Sequence, residues 1–523
     1  MEAPQAIADT PVPSAGRPVS NRRRWMFRLA AIALGLLPFL LFELACLAFG
    51  WGHPELHDDP LVGFSNVRPL FVPTSDGLAR EIPPSRLPWF CHDSFAVPKP
   101  ANEFRAFVLG GSTVQGHPFA RQTAFSTWLE ISLAAADPSR IWRFVNCGGV
   151  SYATYRLVPI LEEVLKYQPD LIILYTGHNE FLEDRSFEHL QRGGPIAGAV
   201  DVASRLRTFT LLREGYLRLQ RRSSAEPSSG RTILPSEVEA LLDYRGGLEQ
   251  YHRDEAWRQG VIDQYRFNLR RMVRMCRERG VKVLLVNPVS KLRDCPPFKS
   301  EHSTELSAEQ LRHWQELTES AAGQFRRASL GYSRALELYQ EAAKIDPLHA
   351  GGQYNLAECH DLLEQYAEAK AAYLAAKEAD VCPLRILQPM NDVVLEIARH
   401  ENGVLLFDAN QLFVEHSKNG IPDGEWLIDH VHPTIAGHQL LADKISALLV
   451  AQGIVSTPRG DWQQVRKARY QEHFDALSPL YFEKGMQRLK GLTDWAAGRA
   501  KQLRPEAASA PAVEPSVADP LAP

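Results

Sequence analysis

The sequence predicts an α/β protein built on a parallel sheet with helices over both faces, preceded by one membrane-spanning helix. Two observations carry the sheet: five short, almost continuous apolar runs alternate with helical stretches, and several of those runs end in small or amide-bearing residues. The runs are 104–110, 142–147, 170–177, 281–288 and 403–409. A strand covered on both faces needs apolar residues at every position, so it loses the in/out alternation of a half-exposed strand. Between the runs, stretches such as TAFSTWLEISLAAA and IDQYRFNLRRMVRMCRERG repeat apolar residues at helical spacing. Ligands of such sheets bind beyond the carboxyl ends of the strands, so the chemistry is expected there.

The chain has 523 residues, 45% hydrophobic and 23% charged, which is long enough for two to four domains and a sizeable core. That composition excludes collagen, wholesale disorder and a polytopic membrane protein. With 58 Lys+Arg against 62 Asp+Glu the net charge is −4, so no field of one sign gathers nucleic acid, and no nucleic-acid partner is expected. The charge is uneven, however. A leader, 1–28, carries Arg17, Arg22, Arg23, Arg24 and Arg28 against Glu2 and Asp9.

Next comes the span, 29–50, apolar except for Glu43 and interrupted by Pro38. At about 1.5 Å per residue it reaches about 33 Å, enough for a hydrocarbon core of about 30 Å. A cleaved signal peptide has a shorter apolar run and a small-residue cleavage site, and a lipoprotein at Cys46 is disfavoured by Glu43. The arginines ahead of the span place the leader in the cytoplasm and everything after Trp51 outside it, in the periplasm or beyond the cell. There Cys91, Cys147, Cys276, Cys295, Cys359 and Cys382 are free to pair or to remain buried thiols.

After the span, 51–100 is Pro-rich and reads as a connecting arm packed on the domain that follows. The sheet domain then runs from 101 to 304 and from 384 to 452, with an insertion at 183–258 holding the polar stretch RRSSAEPSSGR, a mobile loop, and a second, helical insertion at 305–383. In that second insertion Gly323, Ala335, Tyr339 and Ala342 recur 34 positions later as Ala357, Ala369, Tyr373 and Ala376. Small residues let paired helices approach while the aromatic fills the groove, and the pattern resembles the tetratricopeptide repeat. Two repeats are too few to stand alone, so they are expected to lean on the sheet domain and to overhang its site. A helical segment, 453–503, and a disordered Ala/Pro tail, 504–523, close the chain.

Chemistry gathers at the strand ends. The first run ends in Gly110-Gly111-Ser112-Thr113, where two glycines permit a tight turn that presents the Ser112 hydroxyl at the ligand edge. The second ends in Asn146-Cys147-Gly148-Gly149 and continues through Ser151, and the third leads into Gly177-His178-Asn179-Glu180. An oxyanion needs converging donors, which the Ser112 N–H, a backbone N–H of the second turn and the Asn179 amide supply. After the last run, Asp429 precedes His432-Pro433 by three residues, a spacing that lets an acid orient an imidazole acting as base on a serine. His430 competes with His432 for that role. A zinc reading of His430, His432, His438 and Asp429 lacks a second ligand-bearing strand, so neither metal nor other cofactor is expected.

In this order the four blocks resemble those of the SGNH or GDSL-type hydrolase superfamily, over about 101–300 and 385–452. The resemblance implies a three-layer α/β/α, flavodoxin-like fold, with Ser112 as nucleophile, His432 as base, Asp429 as orienting acid and Asn179 as oxyanion donor. Where that family has Gly-Asp-Ser this chain has Gly110-Gly111-Ser112. Its second-block donor aligns with Gly148 or with Ser151 according to how the block is read. The expected activity is an ester hydrolase on acyl esters of envelope glycans or lipids. The alternatives are an O-acyltransferase with the same residues, and a weakly catalytic tethered scaffold that binds a protein partner through its repeats.

Overall fold

In the computed structural model, residues 21–49, 62–184, 206–208, 211, 232–243 and 247–500 are described. The basic leader before 21, the centre of the first insertion and the tail after 500 lie outside the described residues. The chain divides into two compact units, one of 1–57 with 192–229, the other of 58–191 with 230–523.

In the smaller unit the helix Asn21–Phe49 carries Pro38 inside it. Leu34, Leu37, Phe39, Leu40, Leu41, Leu44 and Leu47 are exposed along it. Glu43 accepts hydrogen bonds from the N–H groups of Arg207 (2.6 Å) and Thr208 (2.8 Å) and from the Thr208 hydroxyl (2.6 Å). Among the described residues no helix is long and apolar enough to cross a membrane.

The larger unit is organised by five parallel strands: β1 (Glu103–Gly110), β2 (Ile141–Gly148), β3 (Leu171–Tyr175), β4 (Lys282–Asn287) and β5 (Val404–Asp408). Their order across the sheet is β5-β4-β3-β1-β2. All four neighbouring pairs are parallel. This is the doubly wound flavodoxin-type order, in which the chain reverses direction across the sheet beside β1 and leaves a crevice at the strand ends. Alternate residues serve opposite faces. Phe107, Leu109, Ile172, Leu174, Val283 and Leu285 pack on helices Thr154–Val164, Glu255–Glu278 and Gln388–His400. Ala106, Val108, Phe144, Ile173, Tyr175 and Leu284 pack on helices Phe125–Ala136, Ile435–Ala451 and Trp462–Asp475. The result is three layers, α/β/α.

The stretch expected as a plain arm has more structure than its composition suggests. Val72–Pro73, Ala79–Glu81 and Ser94–Ala96 form an antiparallel three-stranded sheet, and Val62–Phe64 pairs in parallel with Thr232–Leu234 from the first insertion. Phe71, Phe90 and Phe95 are buried in the core beside β1. Asp93 accepts from the Asn146 N–H (2.7 Å) and from Arg121 (2.7 Å), and pairs with Arg143, tying this stretch to β2.

The second insertion forms two helical pairs, Ala308–Phe325 with Tyr332–Ile345 and Ala350–Leu362 with Tyr366–Ala379. Ser307 and Gln310 close a capping box at its start. The periodic Ala335, Tyr339, Ala342, Ala357, Ala369, Tyr373 and Ala376 are all buried between the helices. The pairs lean on the sheet domain as expected. Arg293 grips Asp361 with two nitrogens (2.7 and 2.9 Å), and Asp380 accepts the N–H groups of Phe298 and Lys299. All seven cysteines are free thiols.

Candidate active site

Ser112 follows β1 and opens the four-residue helix Ser112–Gln115. The turn depends on both preceding glycines. A side chain at Gly110 would collide with the Tyr175 carbonyl, and a Cβ on Gly111 would stand 2.5 Å from the Asn179 amide nitrogen. The Gly111 that departs from the Gly-Asp-Ser pattern therefore makes room for Asn179. Asn146, buried on β2, holds the turn from below through its amide, which donates to the Val114 carbonyl (2.7 Å) and to Ser126 (3.0 Å).

Asp429 and His432 arrive on the loop between helix Ala409–His416 and helix Ile435–Ala451. A bridge between Leu427 and Pro433 and the bond from the Ile428 N–H to the His432 carbonyl (2.8 Å) fold this loop back on itself. Thr434 caps the helix that follows. Asp429 is held by the N–H groups of Val431 (2.9 Å) and His432 (2.8 Å) on one oxygen, and its other oxygen accepts from His432 Nδ1 (2.6 Å). His432 Nε2 then lies 2.7 Å from Ser112 Oγ. Asp429, His432 and Ser112 thus form one hydrogen-bonded line across 320 residues of chain. Burial pushes the Asp429 carboxyl up, but His432 and His430 beside it, with the hydrogen bonds it accepts, hold it far below the usual carboxylate range. An ionised Asp429 favours the tautomer with the proton on His432 Nδ1 and leaves Nε2 facing the serine.

His430, the competing base, has its Nδ1 3.7 Å from Asp429 and its ring edge-on to Phe298. Its pKa is lowered to about 4, mainly by burial. His438 is turned away altogether: it stacks on Phe125, whose N–H donates to Nδ1 (3.3 Å). Among the described residues no group of three or more His, Cys, Asp or Glu is arranged to hold a metal ion.

The residues expected as oxyanion donors divide cleanly. Gly148 is buried beneath the 112–115 turn and its N–H is spent on the Asn146 side chain (3.0 Å), so the shorter reading of the second block does not give a free donor. Ser151 lines the cleft with φ +63°, a left-handed conformation uncommon outside glycine. Its N–H and that of Ser112 have no hydrogen-bond partner among the described residues. Asn179 lines the same cleft and uses one amide hydrogen on the Tyr152 carbonyl (3.1 Å), leaving the other free.

The cleft has a volume of about 390 Å³. One wall is apolar, built from Leu182, Ala240, Leu242, Leu384 and Val431, while His117 and Arg488 stand on the lining as well. No residue of the 305–383 insertion is among those that line it. The residue-type reading missed Glu180, fully buried, which accepts from the Thr154 N–H (2.8 Å) and hydroxyl (2.9 Å) and so fixes the helix start just after Ser151. It also missed His117, although five residues after a candidate nucleophile is a position within reach.

No protein-family model matches the chain, and no curated protein matches it. Among solved structures it is similar to an acetyl xylan esterase, AlAXEase, at 12% identity and a TM-score of 0.29, over 66% of this chain and 100% of that one. It is similar to an alpha/beta hydrolase enzyme from the metagenome of Lake Arreo, Spain, at 13% identity and a TM-score of 0.28, over 67% and 95%. An acetylxylan esterase from Geobacillus stearothermophilus matches at 13% identity and a TM-score of 0.27, over 66% and 92%. Likenesses this low carry no argument about activity, which rests on the geometry of the cleft alone.

Proposed function

We propose that the chain is a serine ester hydrolase of the SGNH type, tethered by one membrane helix with its catalytic unit outside the cytoplasm. The observation that carries the chemistry is the Asp429–His432–Ser112 line, 2.6 and 2.7 Å at its two links, opening on a cleft with unpaired N–H groups. Ser112 Oγ attacks the acyl carbonyl carbon as His432 Nε2 takes its proton. The carbonyl oxygen becomes an oxyanion held by the N–H groups of Ser112 and Ser151 and by the Asn179 amide. Collapse breaks the bond to the alcohol oxygen, which leaves with the proton from His432. A water then gives its proton to His432 as it attacks the acyl-serine carbonyl, and collapse breaks the bond to Ser112 Oγ, which takes that proton from His432 as the carboxylic acid leaves.

The tether is supported by the apolar run 29–50 within and just beyond helix Asn21–Phe49, by the exposed leucines along it and by the basic leader before it. Transfer of the acyl group to a glycan alcohol uses the same residues with a sugar hydroxyl in place of water. A further role, capture of a protein partner by the tetratricopeptide-like helices, is favoured by their standing clear of the cleft lining. A fluorophosphonate probe tests the main reading: it is expected to label the wild type and not Ser112→Ala. Labelling that persists in that variant removes Ser112 as nucleophile. Release of p-nitrophenol from an acyl ester, with and without a glycan acceptor, separates hydrolysis from transfer.

A further inference from the structure

We infer that Arg488 selects esters whose alcohol part carries an anion, a carboxylate or a phosphate. The inference rests on the ester-hydrolase reading above and adds a substrate class to it. His432 must hand its proton to the leaving alkoxide, so the alcohol part lies on the His432 side of Ser112. On that side the His117 ring stands 5.2 Å from the His432 ring, centroid to centroid, and forms part of the cleft lining. Burial and the neighbouring His432 lower the His117 pKa to about 3, so this ring is neutral at working pH and offers no charge. The charge comes from Arg488. It lines the same cleft, donates to the Pro118 carbonyl (2.7 Å), and has no carboxylate partner among the described residues. No Asp or Glu is among the residues lining the cleft.

Arg488 is also held in place by the docking of its helix. Gly485, one turn earlier on helix Pro479–Ala500, lies so close to Phe119 that any side chain there would overlap the ring. Tyr481 on the same helix meets the Thr123 hydroxyl at 2.8 Å, and its ring packs near Phe119. The helix thus grips the loop 118–123 that follows the nucleophile and brings one guanidinium, a planar fork suited to carboxylate or phosphate oxygens, to the cleft.

Three aryl acetates differing only in the alcohol part test this with the full-length protein: 4-acetoxybenzoate, 4-acetoxyphenyl phosphate and the neutral 4-acetoxybenzamide. The wild type is expected to favour at least one anionic ester over the neutral one by about tenfold in kcat/KM, the size of one charged hydrogen bond at a part-exposed site. Which anion is favoured tells carboxylate from phosphate. In Arg488→Gln the ratio is expected to fall to about one, Arg488→Lys to keep part of it, and Lys490→Gln, on the same helix, to keep all of it. A ratio near one in the wild type, or one unchanged in Arg488→Gln, overturns the inference while leaving the hydrolase reading intact. No turnover of any of the three, together with no fluorophosphonate labelling of Ser112, overturns both.

Discussion

The two insertions into the sheet domain make opposite uses of similar lengths of chain. The first is irregular and polar at its centre, yet its later part brings Ala240 and Leu242 to the cleft wall. The second is regular, with a 34-residue period, and contributes nothing to that wall. Periodicity marks a segment that satisfies itself: its small and aromatic residues are consumed in packing helix on helix. An irregular segment must find its partners elsewhere, and here its later part finds them beside the Asp429–His432–Ser112 line. Arg156 holds it there, gripping Glu183 with two nitrogens (2.5 and 2.6 Å) and donating to the carbonyls of Pro235, Ser236 and Glu237.

The sharpest contrast is between either insertion and the Asp429–His432–Ser112 line itself. Replacing His432 by Ala is expected to lower kcat by about three to six orders of magnitude with little change in KM, measured as ester turnover. Next in size, Arg156→Ala strands a buried carboxylate and is expected to cost about 3–5 kcal/mol in denaturant unfolding, with a fall in kcat/KM as the Ala240–Leu242 wall loosens. Tyr339→Ala, inside the repeat, is expected to cost a similar 3–5 kcal/mol of local stability but to leave kcat/KM of the folded protein unchanged. If Tyr339→Ala depresses turnover as Arg156→Ala does, the two insertions are not separate in function. A smaller effect, about tenfold, is expected for Leu242→Ala on the preference for a hexanoyl over an acetyl ester, because one wall of the acyl space is shortened.

The smallest effect concerns pH. Burial lowers the His438 pKa to about 3, against an ordinary value of 6.5. The unfolded chain therefore binds a proton that the folded one refuses between those values, so stability is full above pH 6.5 and is lost as pH falls toward 3. The slope is about 1.4 kcal/mol per pH unit for this one imidazole. His438→Gln is expected to remove that share of the slope, read as unfolding free energy at pH 6 and pH 5. A slope that stays the same would mean that His438 is protonated in the folded state.

Much of this was legible in the residues because it is local. Continuous apolar runs mark the five parallel strands, and Ser112 and Asn179 follow the ends of two of them, whereas Asp429 and His432 lie on a loop beyond helix Ala409–His416. The strands of 62–96 escaped because segments of two or three residues carry no period. The choice between Gly148 and Ser151 was illegible for a different reason: a backbone N–H has no residue type, and only φ at Ser151 and the bond from Gly148 to Asn146 decide it. Arg488 was out of reach altogether. It depends on a helix 370 residues downstream of Pro118 closing on it, a contact no local pattern announces.

The sheet order has a temporal meaning. After β1 and β2 pair, every later strand joins the same growing edge, β3 then β4 then β5, in the order in which the ribosome releases them. The sheet can be laid down without any strand having to slip between two others. Ser112 is made early, but His432 emerges 320 residues later, roughly 15 to 60 s at ordinary rates of synthesis. Until that last loop docks, the Ser112 hydroxyl lacks the hydrogen bond to His432.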